Sequence, residues 1–132
     1  MKRLFTIILF LLTSLATPSA YLKVTYIPVS PAVNYYDALI KAIVAIESSG
    51  DTWALNINEQ ACGAFQIRPI RVKHYNKLRG TDYKTWNFFD YDLSREMFLY
   101  YARGKSYQKA ARDWNGKWEF TKEYWKKVKS RL

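Results

Sequence analysis

The chain's only glycines stand at positions 50, 63, 80, 104 and 116, and each falls where an apolar pattern breaks. Such punctuation leaves room for short helices joined by tight turns and for little else. From about Asn34, the residues Tyr36, Leu39, Ile40, Ile43, Val44, Ile46 and Glu47 recur at spacings of three and four. This predicts a first helix, stopped by Ser48-Ser49-Gly50. Asn56, Asn58 and Gly63 break residues 51–67 into short pieces, which predicts a small hairpin or irregular loop. Pro69 suits the first turn of a second helix, running through Val72, Tyr75 and Leu78 to Gly80. Residues 81–91 read as an aromatic loop. Asp90 or Asp92 can cap a third helix carrying Leu93, Met97, Tyr100 and Tyr101 and ending at Gly104. A fourth helix is expected over Tyr107–Trp114, with a turn at Asn115-Gly116. A fifth follows Thr121, with Tyr124, Val128 and Leu132 docking on the core and Trp125 beside them. The expectation is one mostly α (α+β) domain of about five helices over residues 34–132.

The first twenty residues have a different character. Met1-Lys2-Arg3 precedes a nearly pure apolar run from Leu4 to Leu12, followed by small and turn-forming residues up to Ala20. This is the layout of a secretory signal peptide, and the run is about half the ~20 residues a bilayer crossing needs. Residues 21–33, with Pro28 and Pro31, read as an extended lead-in. The expected destination is the periplasm or the extracellular space. One Cys excludes an internal disulfide, and Cys62 is expected to be buried and inert. One Cys and one His leave no metal cage, and neither metal nor cofactor is expected. The net charge is +10. In an exported monomer that charge meets an anionic envelope polymer or a membrane face rather than nucleic acid. The lysines of the last helix then read as its solvated face.

Tyr36, Ile40, Ile43 and Glu47 share one helix face, so a carboxyl closes an otherwise apolar stripe. Unpaired carboxylates are rarely buried. The last turn of a helix also disfavours negative charge. Both effects push towards a protonated acid near neutral pH, the requirement for a general acid. A glutamate on the helix rim, ion-paired to one of many bases, is the other reading that periodicity allows.

The surrounding residues carry a resemblance. Glu47-Ser48-Ser49 is followed by Gly63-Ala64-Phe65-Gln66-Ile67, and later by Ala110-Ala111-Arg112-Asp113-Trp114-Asn115-Gly116. Together, across residues 36–129, these resemble the lysozyme-like lytic transglycosylases, related to goose-type lysozyme. That family has a Glu-Ser pair ending a helix, a Gly-x-x-Gln motif and a late Tyr-Asn-x-Gly turn. The resemblance implies a lysozyme-like fold in which the hairpin or loop forms one cleft wall. It implies cleavage of the β-1,4 MurNAc–GlcNAc bond of peptidoglycan, with Glu47 as the acid. It also implies substrate contacts from Ser48, Gly63, Phe65, Gln66, Tyr101, Trp114 and Asn115, and service in an envelope-spanning assembly.

The chain departs from the family at three places. Trp114 stands where Tyr is usual and lacks its hydroxyl, Ser94 stands where the third helix usually carries Asn, and Ala64-Phe65 stands where Leu-Met is common, which makes Phe65 a candidate sugar platform. A lytic transglycosylase needs one carboxyl, which protonates the leaving oxygen and then takes the proton of the sugar's 6-hydroxyl as a 1,6-anhydro ring closes. A hydrolase needs a second carboxylate, roughly 5–9.5 Å from the first, and Glu59 is the candidate. The one-acid lyase is the preferred expectation. A hydrolytic lysozyme and a non-catalytic envelope-binding module are the alternatives.

Overall fold

The computed structural model describes residues 34–116 and 119–132; the expected leader at 1–20 and lead-in at 21–33 lie outside them. Five helices and one small sheet follow in order: α1 Asp37–Glu47, β1 Leu55–Asn56, β2 Ala61–Cys62, α2 Pro69–Arg79, α3 Tyr91–Ala102, α4 Tyr107–Asn115 and α5 Thr121–Lys129. The chain is thus mostly α with a minor antiparallel β element, Leu55 pairing with Cys62 and Asn56 with Ala61. The aromatic loop contains a 3-10 helix over Thr85–Phe89.

The helices start and stop for local reasons. Pro69 opens α2 where its missing N–H costs nothing. Gly80 closes that helix in the left-handed region, at φ 67°. The Asp90 carboxylate caps α3 by accepting from the Leu93 N–H at 3.0 Å. Ser106 does the same for α4.

The apolar faces meet in one core. Leu39 and Ile43 of α1 are fully buried together with Phe65, Phe88, Met97, Phe98, Ala111 and Val128. α4 packs on α5, α1 lies against both, and α3 lies against α4. Tyr36 fastens the start of α1: its hydroxyl reaches the Ala102 carbonyl at 2.6 Å and the Lys105 carbonyl at 2.8 Å. Next to it Asp37 pairs with Arg95 of α3 at 2.7 Å.

Two boundaries differ from the expectations drawn from sequence. Asn115 is the last residue of α4 rather than the first of a turn. Leu132 does not dock on the core and is 51% exposed. α5 ends at Lys129, so the helical stripe that carries Tyr124 and Val128 inward no longer governs position 132.

Candidate active site

The end of α1 delivers Glu47 half-buried on the inner side of the fold. The loop after it is folded tightly against that helix end. Cys62 and Ile67 exchange backbone hydrogen bonds of 3.0 and 2.9 Å, so Gly63-Ala64-Phe65-Gln66 forms the turn between them. The Ser48 hydroxyl donates to the Ala64 carbonyl at 2.9 Å and so ties the turn to the helix that carries the acid. Gly63 has φ 76°, and a Cβ there would stand 2.0 Å from the Phe88 carbonyl oxygen. Its close approach is therefore to the 3-10 helix. That same carbonyl accepts from the buried Ser94 hydroxyl at 2.7 Å. Ser94 thus anchors the backbone of the 3-10 helix.

Gln66 closes the turn in the left-handed region at φ 48°, a costly position for a residue with a side chain. Its amide N–H groups offset that cost by donating to the Gly63 carbonyl at 3.0 Å and the Ala54 carbonyl at 3.3 Å. Gln66 and Glu47 line one pocket of about 170 Å³. Arg68, Ile70 and Arg71 form its second side, and Trp114, Asn115 and Gly116 its third.

Burial pushes the Glu47 carboxyl above its ordinary pKa. A hydrogen bond and two nearby guanidinium groups, those of Arg68 and Arg71, pull the other way and do not win. The hydrogen bond comes from α5: the Tyr124 hydroxyl donates to Glu47 Oε1 at 2.6 Å. Burial and the neighbouring Glu47 in turn hold the phenol well above its usual pKa, so Tyr124 stays a donor.

The sequence-predicted residues fall into two groups. Glu47, Gln66, Trp114 and Asn115 converge on the pocket. Ser48 and Gly63 build its wall from behind. Phe65 is not a sugar platform: it is fully buried, with ring centroids of Phe98 and Trp114 at 5.7 and 6.1 Å. It points inward, where the rings of Phe98 and Trp114 pack around it. Tyr101 stands behind the pocket, its hydroxyl 2.8 Å from His74 Nδ1 and its ring 5.4 Å from the Arg71 guanidinium carbon. The Glu59 carboxylate pairs with Arg68 at 3.0 Å on the exposed rim.

Three functional candidates do not emerge from the sequence: Tyr124, Arg68 and Arg71. Periodicity places Tyr124 on the core side of α5, but nothing local links it to an acid 77 residues away. The arginines do carry a legible signal, three residues apart at the start of a helix.

Beside the pocket lies an apolar groove of about 470 Å³ between the hairpin and the 3-10 helix, walled by Leu55, Ile57, Trp86 and Phe89. Pro69 lines the groove and Ile70 the pocket, so the two meet at the start of α2. Comparison with family models, with curated proteins and with solved structures returns no match for this chain.

Proposed function

We propose that this chain is a peptidoglycan lytic transglycosylase that cleaves the β-1,4 MurNAc–GlcNAc bond and leaves a 1,6-anhydro-MurNAc end. The observation that carries the reading is a half-buried carboxyl, its pKa raised by burial, on a pocket whose described lining contains no second carboxylate.

The chemistry follows from that one group. Tyr124 occupies Glu47 Oε1, which leaves Oε2 to hold the transferable proton. Glu47 gives this proton to the glycosidic oxygen as the bond from that oxygen to C1 of MurNAc breaks. The carboxylate so formed keeps the Tyr124 hydrogen bond, which stabilises the charged form. It then takes the proton of the sugar's 6-hydroxyl while O6 bonds to C1, and the acid is restored without water. Asn115 offers its amide, and Gln66 its amide oxygen, to the N-acetyl and hydroxyl groups of the sugar. The apolar groove, with Trp86 65% exposed, provides faces on which further sugars stack.

The hydrolytic reading requires Glu59 to activate a water. Its carboxylate lies outside the pocket lining, which favours the lyase. Glu47→Gln keeps size and hydrogen bonding but cannot give a proton. It is expected to lower cleavage of purified sacculi by about 10²–10⁴ or more, while the melting curve stays cooperative. Mass spectra of the wild-type products are expected to show ends lighter by one water than hydrolysed ends. Hydrated ends, with activity abolished by Glu59→Gln, would make the enzyme a hydrolase. Binding of sacculi without any turnover would make the chain a binding module.

A further inference from the structure

We infer that the guanidinium groups of Arg71 and Arg68 form an anion subsite beside Glu47, which takes a carboxylate carried by the glycan strand. The inference rests on the transglycosylase reading for the identity of the strand, and on the following observations for the subsite.

Arg71 is held firmly. Its Nη2 donates to the Trp114 carbonyl at 2.6 Å, and its guanidinium lies over the Trp114 ring, 4.1 Å from the centroid. It lines the pocket, and burial weighs against its charge. Yet none of the ion pairs among the described residues involves it. The sequence itself removes the usual escape. The chain has 11 acids, and residues 1–33, 117 and 118 contain none of them, so every side-chain carboxylate lies among the described residues. The acid nearest in influence is Glu47, and no ion pair joins the two.

A desolvated cation without an anion is costly. An arginine fork with one N–H spent on a carbonyl keeps four donors for a planar acceptor such as a carboxylate. Arg68 stands three residues earlier and lines the same pocket. Its partner is Glu59, in a pair whose side chains are 50% and 46% exposed. Exposed pairs of this kind are weak, so a substrate carboxylate can take the place of Glu59.

Two carboxylates on a glycan strand fit this chemistry. One is the free lactyl carboxylate of MurNAc in strands without stem peptides. The other is a stem-peptide carboxylate, where the lactyl group is an amide. Affinities of the non-cleaving Glu47→Gln protein can be measured for three ligands of matched length: neutral GlcNAc oligomers, strands stripped of stem peptides, and strands that keep them. One of the anionic ligands is expected to bind at least about tenfold more tightly than the neutral one. Adding Arg68→Gln or Arg71→Gln should collapse that ratio towards one. The ratio is insensitive to a loss of folded protein, and Arg68, being exposed, can be replaced without touching Trp114. Tighter binding of stripped strands identifies the lactyl carboxylate, and tighter binding of intact strands the stem peptide. Equal affinity for neutral and anionic ligands, or a ratio that survives both substitutions, overturns the subsite even if wild-type protein cleaves sacculi. Absence of cleavage by the wild-type protein, with the ratio intact, overturns the transglycosylase reading and leaves the subsite standing.

Discussion

The pKa of Glu47 is set by opposing effects. Burial, and more weakly the charge of Glu59, raise it, while Tyr124 and the two arginines lower it. Removing the Tyr124 hydroxyl takes away a contact to the charged form. In Tyr124→Phe the alkaline limb of the pH–rate profile is therefore expected to move to higher pH, with the rate falling about tenfold or more, the scale of one lost contact at about 1.4 kcal/mol per decade. A limb that stays in place, or moves down, would remove Tyr124 from the role given to it. The raised pKa of Glu47 also has a stability consequence. A carboxyl whose folded pKa lies above its unfolded value contributes stability at low pH that is lost as pH rises through the folded value. Glu47→Gln cannot ionise, so its melting temperature should gain on wild type as pH climbs from below the ordinary carboxylate value of 4.5 into the neutral range. The gain is about 1.4 kcal/mol for each pH unit that separates the folded pKa from the unfolded one. Glu47 was legible in the sequence because stripe and helix end both act locally. Its partner was not, because α5 reaches it only through the packing of the whole fold.

Between the elements, one carbonyl organises the wall behind the acid. The Phe88 oxygen faces Gly63 on one side and the Ser94 hydroxyl on the other. The 3-10 helix, the turn at 63–66 and α3 are thereby fixed together. Gly63→Ala places a methyl against backbone that has nowhere to go and adds the strain of a positive φ. A loss of about 3 kcal/mol or more is expected in denaturant unfolding, the range of clashes in packed sites. Ser94→Ala leaves a buried carbonyl short of its donor and should cost about 1–3 kcal/mol. Because both residues act on one oxygen, the double variant should lose less than the two losses together. Full additivity would mean the carbonyl is not the shared anchor. The sequence announced a hairpin or irregular loop here through Asn56, Asn58 and Gly63, but not that Gly63 and Gln66 are the two ends of a tight turn. The sequence did not announce which way Phe65 points. Inward and outward placements satisfy the same spacing, and only the rings of Phe98 and Trp114 decide between them.

Across the molecule, the order and number of helices followed from periodicity and glycine punctuation, because amphipathic faces report burial wherever one core serves every element. Charge placement was less legible, since composition gives the total of +10 and not its location. The fold directs part of it into the pocket through Arg68 and Arg71, and spreads another part over exposed Lys122, Lys126, Lys127 and Lys129 of α5. If the wall polymer is the substrate, this distribution steers an anionic strand towards the cleft before contact. Raising ionic strength from about 0.01 M to about 0.1 M shortens the screening length from about 30 Å to about 10 Å. The kcat/KM on sacculi should then fall severalfold, because encounter is weakened, while kcat at saturating substrate stays nearly constant. Neutral GlcNAc oligomers provide the control, since no charge draws them in and their kinetics should be nearly flat over the same range. Equal salt sensitivity for both substrates would place the effect in the protein itself and reduce its positive charge to a solvated surface.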